Sequence, residues 1–318
     1  MVVWRLSPDI IHGHLHEGTL VGWAVKNTLF WKGVVLVSDI QGSLVGELES
    51  HGYFRGQSVL KKIFRGIEYH IYRLPDFIIC SSSASANILR SKFEVNSDRL
   101  EVISDGVDAT VANSTRVQEL RNQLGVPSNC PVVVYTGALL PAKGTKVLKG
   151  VIREAARQGL DWHFLVVGYP EEKMEEFVQQ HNIGENCTVT GRVPFEDLSD
   201  YLGLGTVAIE PKNADSGEAS GKLLNYMGAG LPVVCFDTGN NQQLLGRAGV
   251  FVRQRSARAF VDRIETLLES PSTCDRKGKL ARKRAKDSFS WDASAERIYS
   301  IYRTHLAEQK NARLSTSS

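Results

Sequence analysis

Three stretches of the chain carry residue types and spacings suited to holding an anion or a polar ligand. The first is DSGEASGKLLNYMGAGLPVV, residues 215–234, which sets small residues and glycines at a loop–helix junction ahead of a helix and a buried strand. The first amides of a helix lack an intrahelical acceptor and carry partial positive charge, so those around Ser220, Gly221 and Lys222 suit a diphosphate, and the Lys222 ammonium adds a full charge. The same residues also fit a plain helix capped by Ser220, with glycines that only permit close packing. The second stretch is TGALLPAKGT, residues 136–145, directly after an apolar strand. Ligands of parallel α/β sheets sit beyond the carboxyl ends of the strands, which puts Gly137 and Lys143 where a phosphate could be held; a solvated loop lysine is the plainer alternative. The third is HGHLHE, residues 12–17, whose His12, His14 and His16 share a face for as long as a strand lasts. That spacing suits zinc. A loop is expected to interrupt it, however, and no cysteine or carboxylate cluster stands ready to complete a site. The expectation is therefore no metal, with His12 packed and one or two of the histidines on a polar ligand.

Two weaker features follow. In VTGRVPFEDL, residues 189–198, the backbone of Gly191, Arg192 and Val193 either pairs with the edge of a nucleobase or forms an ordinary turn. In FDTGNNQQLL, residues 236–245, Asp237 to Asn241 either touch a ligand or cap the next helix.

These residues depend on a scaffold. Short β-branched runs alternate with helical patterns along the whole chain, the signature of parallel sheets covered by helices. The reading is an α/β protein with two Rossmann-like doubly wound domains: a partial first one over residues 1–112, a second over 113–290, and a terminal helix with a frayed tail over 291–318 that packs back on the first. Strands of the first unit are expected at 9–12, 34–38, 77–80 and 100–104. Those of the second are expected at 131–137, 163–168, 187–190, 207–210, 232–236 and 249–252, after a connecting helix within 112–129. The terminal helix, residues 291–306, offers Trp291, Ile298, Ile301 and Tyr302 for burial. The first unit begins at MVVWRLSPDIIHGH, which reads as a later strand, and no GxGxxG precedes residue 100. The chain is accordingly expected to lack the opening strand and glycine-rich turn of its first domain, as a fragment, a shortened reading frame or a protein completed by a partner.

Composition excludes some classes. At 318 residues, 42% hydrophobic and 23% charged, the chain is neither disordered nor fibrous. A net charge of +3 does not supply the dense basic surface of a nucleic-acid binder. The run RKGKLARKRAK, residues 276–286, is a local exception, either a solvated helix face or a peripheral contact with an anionic membrane. The five cysteines show no CxxC pairing and read as reduced thiols. No apolar run is long enough to span a membrane, so a cytoplasmic setting, with or without membrane contact, is the expectation.

Taken together, PDIIHGH, VISDGVD, TGALLPAKG, LVVGYP, VTGRVP and SGKLLNYMGAGLPVV resemble glycosyltransferase family 4. The resemblance covers almost the whole chain and implies the two-domain GT-B fold and retaining sugar transfer from a nucleoside diphosphate sugar to an alcohol acceptor, with no cofactor and no metal. It implies that Lys143 holds the donor diphosphate and that Gly221 and Lys222 form the helix start receiving phosphates and sugar. By the same resemblance Glu218 contacts the donor sugar, His14 lies near the transferred sugar, and Gly191 to Val193 form the base-binding edge. Domain closure would bring His14 and Lys143 into one cleft. Departures are visible: Ala138 stands where the family's diphosphate-binding arginine precedes the lysine, and Asn225 falls at the second motif glutamate, with Glu218 one residue out of spacing. Asn225 still offers a hydrogen bond to ribose, without a carboxylate's stronger acceptor. Two alternatives remain at the level of sequence: a truncated module that binds the nucleotide without turnover, and a sugar-nucleotide epimerase, for which no pair of acid/base carboxylates is evident.

Overall fold

The computed structural model describes residues 6–50, 53, 59–212 and 220–316. Within them the chain divides into two compact units, one formed by the chain up to Asp105 together with Trp291 onward, the other running from Gly106 to Ser290.

The first unit holds four parallel strands, β1 (Ile10–His14), β2 (Val35–Ile40), β3 (Phe77–Cys80) and β4 (Leu100–Val102), paired in the order β1-β2-β3-β4. Side chains alternate across such a strand, and both faces here are covered. Ile78 and Cys80 join Leu89 and Phe93 of the Ser83–Phe93 helix on one side. Phe77 and Ile79 join Val35, Val37 and Ile301 of the Trp291–Thr316 helix on the other. Ile298 and Tyr302 pack against that second cluster, but Trp291 does not meet its expected burial and is 54% exposed. The helix also continues to Thr316, past the point where fraying is expected. Among the described residues β1 pairs only with β2, and a groove of about 490 Å³ lined by Leu6, Ile10, Val21 and Val25 runs along its flank.

The second unit holds six parallel strands, β5 (Val132–Thr136), β6 (His163–Val167), β7 (Cys187–Val189), β8 (Val207–Glu210), β9 (Val233–Phe236) and β10 (Val250–Val252). Their order is β7-β6-β5-β8-β9-β10, running outward in both directions from β5 as in a Rossmann sheet. Val133 and Tyr135 face the Thr145–Arg157 and Ala257–Leu268 helices, whereas Val132 and Val134 face the Gly221–Ala229 side, so β5 is sealed on both faces. Strand bounds fall within two residues of the sequence reading, because a near-continuous apolar run bounded by polar residues leaves little freedom.

The basic run 276–286 lies on the Pro271–Ser288 helix, where Gly278, Ala281 and Ala285 are buried against the second sheet's helices. Its cations are largely engaged. Arg284 donates to the carbonyls of Gln243 and Leu244, Lys277 to those of Arg247 and Gly249, and Arg282 to that of Ala109. Lys279 and Lys283 pair with Asp275 and Asp287 one turn away. Carbonyls at a helix end that lack intrahelical partners are thereby satisfied by neighbouring cations. Among the described residues no helix is long and apolar enough to cross a membrane. All five cysteines are unpaired, and burial pushes the Cys80 and Cys187 thiols up to about 12, which keeps them protonated.

Candidate functional site

The reversal of strand order at β5 forces the connections after β5 and β8 to leave in opposite directions, which opens a crevice at the carboxyl edge between them. Three sequence features converge there. The chain leaves β5 through Gly137, whose φ of 114° suits glycine alone, and whose amide donates to Val167. It continues into a short turn, Pro141–Lys143, and then Gly144, with φ 88°. A side chain at Gly144 would come within 2.5 Å of the Pro211 backbone, so the turn bearing Lys143 is pressed against the segment that follows β8.

The third feature is the Gly221–Ala229 helix. Its preceding residue, Ser220, does not cap it: the hydroxyl donates to Glu210 Oε2 at 2.5 Å and accepts from no amide of the first turn. The simple capping reading of Ser220 is thus corrected, because the bond to the buried carboxylate turns that hydroxyl toward Glu210 and away from the first-turn amides. Around Gly221 an added Cβ would meet no described atom within 4 Å. Lys222 leans across the sheet edge to Gly137, its Nζ 3.7 Å from where a Gly137 Cβ would stand. Its ammonium lies 4.4 Å from the centre of the Tyr135 ring, 3.2 Å from the Tyr135 hydroxyl and 3.4 Å from Glu210 Oε1. The Tyr135 hydroxyl also donates to the carbonyls of Ala138, at 3.0 Å, and Lys143, at 3.4 Å. One phenol therefore ties the Lys143 turn to Lys222. Burial, and then the charge of Glu210, raise the pKa of Tyr135, so it stays a neutral donor. Asn225 is half-buried on the same helix one turn beyond Gly221. Glu218 lies outside the described residues.

Further along the edge, Gly191 follows β7 with φ 69° and is buried, and the Glu171 carboxylate stands 3.0 Å from where its Cβ would be. Arg192 is exposed over the Tyr169 ring, and Val193 is half-buried against the core. The segment after β9 resolves as a cap: Thr238 Oγ1 accepts from the Asn241 amide at 3.2 Å.

The first unit's carboxyl edge carries a different chemistry. β1 runs unbroken to His14 and the next helix, Leu15–Thr28, starts at once, so the expected intervening loop is absent. Leu15 makes the turn with φ 59°, in a left-handed region that costs a non-glycine residue about 1–2 kcal/mol. His14 is left exposed at the strand end, its Nδ1 3.5 Å from Asp39 on β2. The His12 ring stacks on that of His14 at 4.6 Å, its Nδ1 is hydrogen-bonded to the Tyr302 hydroxyl, and its Nε2 is buried without a partner among the described residues. Burial, then His14, lower the pKa of His12 to about 4. Burial raises that of Asp39 against the opposing pull of His14, and burial raises that of Asp105. His16 leaves the shared face, turning inward to Tyr72 at 2.9 Å. Ligand atoms of His12, His14 and Asp39 do lie within 4.8 Å of one another. The two ring planes are inclined by only 10°, so their in-plane lone pairs lie in stacked, nearly parallel planes that do not meet at one chelated ion.

Sequence reasoning passed over Tyr135, Glu210, Asp39 and Asp105, and gave Tyr302 a packing role alone. Glu210 and Asp39 did leave a signal: each is a carboxylate near the carboxyl end of an otherwise apolar strand, VAIE and VLVSDI.

Comparison with known proteins fits this geometry. Residues 3–111 match the family described as Glycosyltransferase Family 4, and residues 130–270 that described as Glycosyl transferases group 1. The D-inositol 3-phosphate glycosyltransferase of Corynebacterium glutamicum is 23% identical over 96% of this chain and 74% of its own length. The alpha-D-kanosaminyltransferase of Streptomyces kanamyceticus is 23% identical over 85% of this chain and 71% of its own. Among solved structures, sucrose-phosphate synthase from Thermosynechococcus elongatus superimposes with a TM-score of 0.79 at 21% identity, covering 96% of this chain and 76% of its own. HepE of Anabaena, in complex with UDP, gives 0.79 at 17% identity over 95% and 81%. At such identities the structural likeness speaks for the fold, which is GT-B. The family match sets the epimerase alternative aside. With both of its sheets matched by glycosyltransferase families and its carboxyl edges arranged as described, the chain belongs to the family 4 glycosyltransferases.

Proposed function

We propose that the protein moves a sugar from a nucleoside diphosphate sugar to an alcohol acceptor with retention of anomeric configuration. One observation carries the reading: the Lys222 ammonium, the Gly137 turn and the Gly221 helix start, which Ser220 does not cap, meet at the switch point of the second sheet. Helix amides and ammonium groups around an open space favour a diphosphate there. Solved HepE complexes with UDP and with UDP-glucose support a uridine nucleotide as the first donor to test.

In this reading the bond from the anomeric carbon to the diphosphate oxygen breaks heterolytically and its electrons pass to the leaving phosphate. Lys222, Lys143 and the Gly221 amide stabilise the growing charge. The acceptor oxygen bonds to the anomeric carbon on the face the diphosphate leaves, and its proton passes to a phosphate oxygen. His14, held by Asp39, orients a sugar hydroxyl; Glu218 contacts the donor sugar, Asn225 the ribose, and the Gly191–Val193 backbone the base. Ser220 holds the approach to the helix start in place through Glu210.

Calorimetric titration of UDP tests the binding half. Binding that is weakened by Lys143→Ala supports the reading, and unchanged affinity in that variant removes Lys143 from it. Failure of every nucleoside diphosphate to bind removes the donor assignment altogether. Incubation with UDP-hexoses and an alcohol acceptor, followed by NMR of the product's anomeric proton, tests the transfer and its stereochemistry. Binding without turnover supports the nucleotide-binding module instead.

A further inference from the structure

In the reading so far Glu210 only anchors Ser220, yet it is the most deeply set charge among the described residues of the crevice, 1% exposed at the carboxyl end of β8. A carboxylate is kept so far from water only when paired and hydrogen-bonded. Among the described residues three donors meet it: Ser220 Oγ at 2.5 Å and the Lys212 amide at 2.9 Å by hydrogen bonds, and Lys222 Nζ at 3.4 Å by charge. Lys222, whose side chain is only 12% exposed, is therefore neutralised from behind while its other side faces Tyr135 and Gly137.

We infer that Glu210 is a positioning residue for Lys222 and a built-in counter-charge that limits how tightly the crevice holds a diphosphate. The inference rests on the assignment of Lys222 to the diphosphate. An incoming phosphate shares the ammonium with Glu210, and the two anions then face each other across it at short range in a poorly solvated setting, where their repulsion is only partly screened. The carboxylate thus opposes the tight retention of spent nucleotide while it fixes the cation that stabilises the leaving group. A role confined to structure predicts the reverse for its loss, since releasing Ser220 and Lys222 would loosen the site and weaken binding.

The isosteric change Glu210→Gln removes the charge and keeps an oxygen for the Lys212 amide. UDP affinity, measured by calorimetry, is expected to rise about ten-fold, the scale of one partly screened charge at this range. Affinity for uridine, which has no phosphate, should stay within about two-fold. Unchanged or weaker UDP binding by a folded E210Q overturns the inference. Lys222→Ala separates it from the assignment beneath it: if that variant binds UDP as the unaltered protein does, the diphosphate reading fails; if it binds UDP weakly while E210Q does not bind it more tightly, only the counter-charge fails. Where E210Q does not fold, Glu210→Ser, which keeps a hydroxyl oxygen for the Lys212 amide, carries the same test. Tighter UDP binding by that variant supports the inference, and unchanged or weaker binding overturns it.

Discussion

The two sheets share strand direction and helical cover but differ in order, and their edges differ in chemistry accordingly. The second reverses at β5, and the crevice this opens gathers Gly137, Lys143, Gly221 and Lys222 from segments up to 85 positions apart. The first runs β1-β2-β3-β4 without a reversal among the described residues, and its edge offers His14 and Asp39 on the ends of neighbouring strands, with Asp105 in the segment that follows β4. Cations and helix amides suit phosphate oxygens, while an imidazole steadied by a carboxylate suits hydroxyl groups. In the proposed reading one fold class makes two kinds of recognition edge, one by topology and one by which residues end the strands.

Substitutions that strike one edge should spare the chemistry of the other. The largest effect is expected from Gly144→Val, which forces a β-branched residue to φ 88° and into the Pro211 backbone. Denaturant unfolding should show a loss of about 3 kcal/mol in the second unit. Lys222→Ala should lower UDP affinity about thirty-fold, or about 2 kcal/mol, the worth of a charge-assisted contact, in a titration of the folded protein. Asp39→Asn, on the first edge, should slow donor turnover about ten-fold while UDP affinity stays within about two-fold, since it disturbs only the orientation of His14. A large loss of UDP binding in that variant would dissolve the contrast.

A last effect concerns pH. His12 stays neutral in the folded protein down to about 4, whereas the unfolded chain protonates near 6.5. Between those values the unfolded state binds the additional proton, so stability is fully present above 6.5 and is lost as pH falls toward 4. Asp39, with its pKa raised by burial, acts in the opposite sense just above its unfolded value, because the native state then holds the additional proton. Thermal melts from pH 7 to 4 should flatten in His12→Gln, and an unchanged slope would contradict the assigned burial of that ring.

Much of this was legible in the sequence, and what was missed has physical causes. All ten strands could be read because parallel strands buried on both faces are short apolar runs ended by polar residues, VVVYT and VAIE among them. The crevice could be anticipated because ligand sites follow strand ends. Its internal wiring could not: Tyr135 and Lys222 are 87 residues apart, and only the folded sheet shows that the phenol of one supports the ammonium of the other. His14 misled for the opposite reason, since HGHLHE gives no local sign that Leu15 would accept a left-handed turn and let the strand run to its end. Trp291 shares the apolar stripe of its helix with Ile298, yet the cluster gathers around Ile301, roughly 15 Å further along the axis, which leaves the first turn uncovered.

The most direct test of the central claim is a crystal structure of the protein with UDP. The account predicts the diphosphate at the mouth between β5 and β8, its oxygens about 3 Å from the Gly221 amide and from Lys222 Nζ. Nucleotide bound anywhere else, with that crevice vacant or closed by side chains, would contradict it.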